Sequence, residues 1–452
     1  MRAFRILLLL VLLTACAPQA TDTGYSVVTH PDGPLYVGDL VSFEVFAPSG
    51  SVDGETVSVS YAGQTLGSAA FSPFGIGERD QATFWWVWDT RGLESGAHTL
   101  KFTSLTGVAW HETVTLRPAD KVPAPEPDAH WTSTTTDCCT LYYITGTEAE
   151  RDIETLAAQA DAESVSVAAQ LGADPRQGMT LVFLPRLIGH GGFAGGAVYV
   201  TYYDGNVIGN DMDILFHHEF VHFYDDVVGG EYRPSLFVEG LAVYLSGGHF
   251  KPEPLAPRAA ALLDLDWYIP LETLASDFYN QQHDIGYLEA GALVQYLVET
   301  YGMGAFNEFY RTIPAPDSVT TEVDVIAAAL QESYGLTFAD LEAVYLGYLR
   351  AQPVSDDVRA DLELTVEFFD TLRRYQQELD PSAYFLTAWL PDGEAMRERG
   401  IVADFTRRPS GWKNSLIESL LRRARIELFG GEYESAQRTL GWTNWTLDVL
   451  SP

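Results

Sequence analysis

The chain has 452 residues, of which 62 are Asp or Glu and 27 are Lys or Arg, for a formal net charge of −35. An acid excess of this size repels phosphate backbones and anionic surfaces, so it argues against a nucleic-acid partner. It leaves a solvated acidic surface, with attraction of cationic peptides as the functional alternative. Of the three cysteines, Cys138 and Cys139 are adjacent and offer no long-range disulfide framework; the pair reads as structural, either a vicinal disulfide or two free thiols.

At the N-terminus, Arg2 and Arg5 precede an apolar run over 6–13. The run is too short to span a bilayer as a mature helix and suits the apolar stretch of a secretory signal. It ends Leu13-Thr14-Ala15-Cys16, which resembles the bacterial lipobox. That resemblance implies a signal peptide over 1–15, lipid on Cys16 and a polar tether over 16–24. No later stretch approaches eighteen consecutive apolar residues. The expectation is therefore an exported cell-envelope lipoprotein, anchored at Cys16 to the outer face of a bacterial membrane. Ordinary secretion, with Cys16 incidental, is the competing reading.

Residues 25–118 alternate short apolar runs with turns, predicting strands at 40–46, 56–61, 82–88, 98–103 and 111–116, and hence an all-β sandwich. The segment 88–100 resembles the end of an Ig-like bacterial surface domain, which implies a spacing or docking module. Trp85, Trp86 and Trp88 read as core on one face with partial cover on the other, rather than as a carbohydrate platform. Pro123, Pro125 and Pro127 mark 119–129 as a stiff, extended linker. A strand at 141–144, a helix near 148–171 and strands at 179–185 and 197–203 then predict an α+β region; the glycines of 191–196 permit close backbone approach, with a plain flexible loop as the equal alternative.

Two helices follow. Cap-type and acidic side chains at 210–213 open the first, which runs toward Gly229-Gly230; Ser235 caps the second, which carries Glu239 and closes at Gly247-Gly248. The first helix contains His218-Glu219-Phe220-Val221-His222, and Glu239 lies seventeen positions beyond His222. Histidines four apart share a helix face with Cβ atoms about 5–6 Å apart, so both rings can reach one ion. Catalytic zinc takes three protein ligands and keeps a fourth position for a water whose pKa falls to about 7. His218, His222 and Glu239 supply that set, and Glu219 faces the water as general base. A core helix with two incidental histidines is the bland alternative. His217 points about 100° away from His218 around the helix and misses the ion. His190 and His249 carry no assigned role, and Asp225 and Asp226 read as exposed acids at a helix end in preference to hydrogen-bond partners of a ligand ring.

Beyond Glu239 the periodicity predicts helices at 286–301, 303–313, 321–334 and 338–350, the last capped by Thr337. A helical accessory domain over 351–452 continues with 358–379, 415–429 and 432–440. The stretch 424–436 has the small-residue pattern of one tetratricopeptide-like hairpin.

His-Glu-x-x-His followed on the next helix by Glu-Gly-Leu-Ala resembles the gluzincin metallopeptidases, and more closely the bacterial peptidase-MA-like domains. The likeness covers 130–350 and includes the run 287–297 with Tyr301-Gly302. It implies one Zn2+ held by His218, His222 and Glu239, Glu219 as catalytic base, and a strand over 197–203 that pairs with an extended substrate. Tyr287, preferred over His283, opens the helix that resembles the family's third active-site helix and is assigned to the oxyanion. The interval from the second histidine to the glutamate is shorter than in thermolysin or the aminopeptidases, and the aminopeptidase Gly-x-Met-Glu-Asn motif is absent. The expected protein is multidomain: an Ig-like sandwich, a central α+β zincin and a C-terminal α-helical region. It would be a zinc metallopeptidase acting on peptide or protein, with a non-catalytic surface-binding lipoprotein as the alternative.

Overall fold

A computed structural model describes residues 24–48, 54–74, 79–186, 192–194, 196–208, 211–380, 383 and 393–450. The leader over 1–15, Cys16 and most of the tether lie outside the described residues, as do His190 and Gly191. Two compact units divide the chain: the first holds most of the chain up to Pro118, and the second holds Ala119 onward together with the short piece His30–Gly33.

The first unit is built of strands. They are β1 (Ser26–His30), β2 (Leu35–Tyr36), β3 (Leu40–Phe46), β4 (Thr56–Tyr61), β5 (Gln64–Ala70), β6 (Ser72–Phe74), β7 (Arg79–Asp89), β8 (Gly96–Ser104) and β9 (Ala109–Arg117). Two sheets form, in the orders β1-β3-β7-β6 and β2-β9-β8-β4-β5. Val41, Phe43 and Val45 from one and Val57, Val59, Leu100 and Phe102 from the other fill one apolar cluster with Trp88. Between Val41 and Phe43 the β3–β7 register slips, and Trp86 takes a φ of 48° with its N–H donating to Ser42 Oγ at 2.7 Å. This bulge sends Trp88 inward and leaves Trp85 and Trp86 half-buried.

The second unit opens on 3-10 turns at Ala119–Lys121 and Glu126–Asp128, where the prolines predict an extended connector. Glu126 is fixed there by an ion pair to Arg407. A sheet follows in the order β10-β11-β12-β14-β13: β10 (Trp131–Thr135), β11 (Cys139–Ile144), β12 (Met179–Leu184), β13 (Gly192–Ala194) and β14 (Val198–Thr201). Strands β11, β12 and β14 run parallel, with α1 (Glu148–Arg151) and α2 (Ile153–Leu171) crossing between the first two. Cys138 and Cys139 are buried and joined to each other. The sheet corrects two expectations. Residues 192–194 form a strand, not a loop, and β14 is not the edge, because β13 pairs antiparallel along its outer side.

Helices complete the unit: α3 (Met212–Tyr224), α4 (Ser235–Ser246), α5 (Leu255–Asp264), α6 (Leu271–Ser276), α7 (His283–Tyr301), α8 (Met303–Thr312), α9 (Glu322–Tyr334), α10 (Phe338–Arg350), α11 (Asp356–Leu379), α12 (Gly393–Glu398), α13 (Ala403–Thr406), α14 (Trp412–Phe429) and α15 (Tyr433–Leu450). Asp211 caps α3 by accepting from Ile214 N–H at 3.3 Å. The helix ends at Tyr224 in a 3-10 turn, short of Gly229. Pro234, not Ser235, is the N-cap of α4, consistent with proline's fixed φ; Gly247 closes the helix at a φ of 73°. Thr337 caps α10 as expected, in a full capping box with Asp340.

The crossing of α4 and α7 depends on two glycines. A Cβ on Gly240 would lie 2.6 Å from Ala290 O, and one on Gly291 would lie 2.5 Å from Val243 Cγ1. Their absent side chains let the helix carrying Glu239 sit against the helix carrying Tyr287. One apolar cluster runs from the sheet through α3, α4 and α7 to α10; a second joins α11, α14 and α15. Among the described residues, no helix is long and apolar enough to cross a membrane.

Candidate metal centre

Helix α3 presents His218 and His222 one turn apart, and α4 brings in Glu239 from the side. Phe216, Phe220, Val221, Phe237 and Leu241 are fully or almost fully buried, which fixes the rotation of both helices and turns the polar triad into the cleft. His222 Nε2 lies 3.2 Å from His218 Nε2, and Glu239 Oε2 lies 3.4 Å from His218 Nε2 and 3.3 Å from His222 Nε2. Ligand atoms about 2.0–2.1 Å from a tetrahedral zinc ion stand about 3.3–3.4 Å from one another, so this near-equilateral triangle fits three of its corners. His218, His222 and Glu239 form the only group of at least three possible metal ligands found among the described residues.

The unmade hydrogen bonds say the same. Glu239 Oε2 is buried without a hydrogen-bond partner, as are Glu219 Oε2 and the Nδ1 atoms of His218 and His222. Buried polar atoms are normally paired; of these, Glu239 Oε2 is the one that faces both imidazole Nε2 atoms, where a cation would satisfy it, whereas the Nδ1 atoms lie on the other side of each ring. Glu219 lies on α3 beside the triad and is 6% exposed, so its carboxylate faces the cleft and not bulk water.

Burial acts on both carboxylates and the outcomes differ. Desolvation holds Glu219 above the ordinary carboxylate range, partly offset by His218 and His222. Burial opposes the charge of Glu239 too, but the imidazoles of His222 and His218 override it and bring that carboxyl well below the ordinary range. In the metal-free site, burial works to lower His222 while the Glu239 carboxylate outweighs it and pushes the ring up to about 9.

Tyr279, on a 3-10 turn just before α7, donates its hydroxyl to Glu239 Oε1 at 2.9 Å. One oxygen of the carboxylate is therefore tied while the other faces the histidines. Sequence reasoning missed Tyr279, because a tyrosine in an irregular segment forty residues from its partner carries no periodic signal. Tyr287 was expected at the site and is there: its ring centroid lies 6.3 Å from that of His218, and its phenol is coupled to Glu239. His249 was missed as well. Its ring stacks on Tyr287 at 4.3 Å with 8° between planes and lies 5.4 Å from His218, while His283 flanks Tyr287 at 4.3 Å. The signal was Gly247-Gly248: Gly248 has a φ of 156°, and a Cβ there would collide with Lys251 O. That glycine-dependent turn carries the chain from the end of α4 back toward the cleft.

Three other residues resolve differently from one another. His217 is turned toward α2, with Nδ1 2.7 Å from Glu163 Oε2 and Nε2 3.2 Å from Gln170 Oε1, so it takes no part in the triad. Asp225 is not an exposed acid: it is 2% exposed and accepts from Tyr310 Oη at 3.0 Å and Arg233 at 3.3 Å, tying the end of α3 to α8. Burial pushes its carboxyl up to about 6. Asp226 does stand outside, paired with Arg176 at 2.7 Å.

The edge strand β13 lies against the same cleft. A Cβ on Gly192 would come within 3.3 Å of Glu219 Oε1 and 3.2 Å of Leu215 Cδ2, so the strand's backbone passes directly beside the carboxylate.

No protein-family model matches the chain, and no curated protein matches it. Among solved structures, the chain is similar to an M1 zinc metallopeptidase from Deinococcus radiodurans, at 12% identity and a TM-score of 0.33, over 73% of this chain and 94% of that one. It is also similar to an aminopeptidase N family protein from Idiomarina loihiensis, at 9% identity and a TM-score of 0.25, over 72% of this chain and 70% of that one.

Proposed function

We propose that the chain is a zinc-dependent metallopeptidase whose central domain is a gluzincin-type zincin. The observation that carries this is the triangle of His218 Nε2, His222 Nε2 and Glu239 Oε2, with sides of 3.2–3.4 Å, beside the buried carboxylate of Glu219. When bound, zinc supplies Lewis acidity toward a peptide carbonyl and a water of lowered pKa.

The chain's own residues supply the rest. His218, His222 and Glu239 would hold the ion, and Tyr279 keeps Glu239 presenting a single oxygen to it. Glu219 takes a proton from the attacking water and delivers it to the leaving nitrogen, a two-way role suited to a carboxyl held above its usual range. The Tyr287 phenol, kept protonated by burial and by the Glu239 charge, donates toward the developing oxyanion. An extended peptide adds to the free side of β13, which replaces β14 as the substrate edge, and its backbone then passes Glu219. A side chain at Gly192 would obstruct that path.

The 25–118 module is read as an Ig-like spacer, and the chain as an exported lipoprotein anchored through Cys16. Radiolabelled palmitate should enter the wild type and not Cys16→Ser; equal labelling would remove the anchor. For the enzyme, Glu219→Gln should retain zinc and lose about 10²–10⁴-fold in cleavage of a broad peptide library. Equal inactivity of both zinc-loaded proteins would instead support the binding lipoprotein.

A further inference from the structure

Among the described residues, the exposed tryptophans are not scattered. Trp412, Trp442 and Trp445 are 67%, 62% and 55% exposed, and all three lie on the α14–α15 hairpin with Val449 at 59% and Leu416 at 41%. On α15, Ala436, Leu440, Thr443 and Leu447 are buried, while Arg438, Trp442, Trp445 and Val449 recur at helical spacing on the opposite face. The Trp442 and Trp445 rings meet edge-on at 5.6 Å. Trp412 and Leu416 open α14 at the same end of the hairpin, where Lys413 Nζ donates to Leu450 O at 2.7 Å. Core packing against α11 does not need these side chains, since Ile417, Leu421, Ala424 and Leu428 already supply it from α14.

We infer that this outward face of the α14–α15 hairpin docks on the headgroup region of a zwitterionic lipid bilayer. Indole suits that place because it pairs a large apolar ring with an N–H that stays hydrated, and Arg438 can bury its stem while its guanidinium reaches phosphate. Charge selects the same region. Residues 393–450 carry nine Lys or Arg against eight Asp or Glu, in a chain with 27 against 62. The remainder of the molecule is strongly acidic, whereas this region carries almost no net charge, which matches a bilayer surface that carries none. The inference is independent of the metal site.

The test uses the full chain in phosphatidylcholine vesicles containing a bromine-labelled phosphatidylcholine, which quenches nearby indoles. The wild type should lose a third or more of the fluorescence contributed by Trp412, Trp442 and Trp445, and the triple variant Trp412→Ser/Trp442→Ser/Trp445→Ser should show residual quenching at least threefold smaller. Both proteins should have the same circular-dichroism melting curve, because the replaced side chains are exposed. Equal quenching of the two proteins would overturn the inference. So would a wild type that is dimeric by light scattering and unquenched while the variant is monomeric, since a second copy would then cover the face.

Discussion

Buried polar groups are treated in opposite ways in the N-terminal sheets and at the triad. Between the sheets they answer one another: Gln81 Nε2 donates to Glu44 Oε1 at 3.0 Å, and Thr90 Oγ1 lies 2.8 Å from Asp39 O and 3.1 Å from Tyr36 O. The indole N–H groups of Trp88 and Trp110 are exceptions. At the triad, Glu239 Oε2 and the neighbouring Glu219 Oε2 are buried without a hydrogen-bond partner. A core that only needs to be stable pairs its polar atoms, because each unpaired one costs about 1–3 kcal/mol. Glu239 Oε2 instead faces the two imidazole Nε2 atoms, where a bound cation would recover the missing stabilisation.

The contrast predicts separable consequences. His222→Ala should remove stoichiometric zinc and reduce peptide cleavage to background, checked by metal analysis and a peptide-library assay. Tyr279→Phe keeps the ring and removes only the hydrogen bond to Glu239 Oε1; it should weaken zinc about 10–100-fold in a chelator competition, with the fold unchanged. Gln81→Leu should do the reverse. It removes the hydrogen bond that Gln81 makes to the buried Glu44 carboxylate, lowering stability of the first unit by about 1–3 kcal/mol in a denaturant titration while leaving zinc affinity alone.

The smallest effect is in pH. His222 of the metal-free chain has its pKa raised from an ordinary 6.5 to about 9, so its bound proton stabilises the fold fully below 6.5, and that contribution is lost as pH rises through about 9. Chelator-treated protein should therefore lose melting temperature across that window. Zinc-loaded protein should not show that component, because the ion has displaced the proton; identical profiles with and without zinc would place the ion elsewhere.

Much of this architecture is legible in the sequence where a period is strong. Strands β3 and β4 and helix α10 fall on their expected residues, because alternating valines and phenylalanines, or a Thr-x-x-Asp box before an apolar stripe, admit few other conformations. Strand β5 was missed, since its small, largely exposed residues lie on an edge with little to pattern them, and it is defined by its antiparallel ladder to β4 across the Ala62-Gly63 turn. Strand β13 was missed for a related reason: three residues rich in Gly and Ala read as a loop until a neighbour supplies the ladder. At the site, ligand spacing on α3 fixes His218 and His222 locally. Tyr279 and His249 depend on how irregular segments return to the cleft, which no local period encodes.

The central claim is most directly tested by zinc-edge X-ray absorption on the purified chain, paired with His222→Ala. One zinc per wild-type chain, with two imidazole nitrogens and carboxylate or water oxygens at about 2.0–2.1 Å, and loss of that signal in the variant, is the predicted result. Zinc bound with the same spectrum and stoichiometry in both proteins would contradict it.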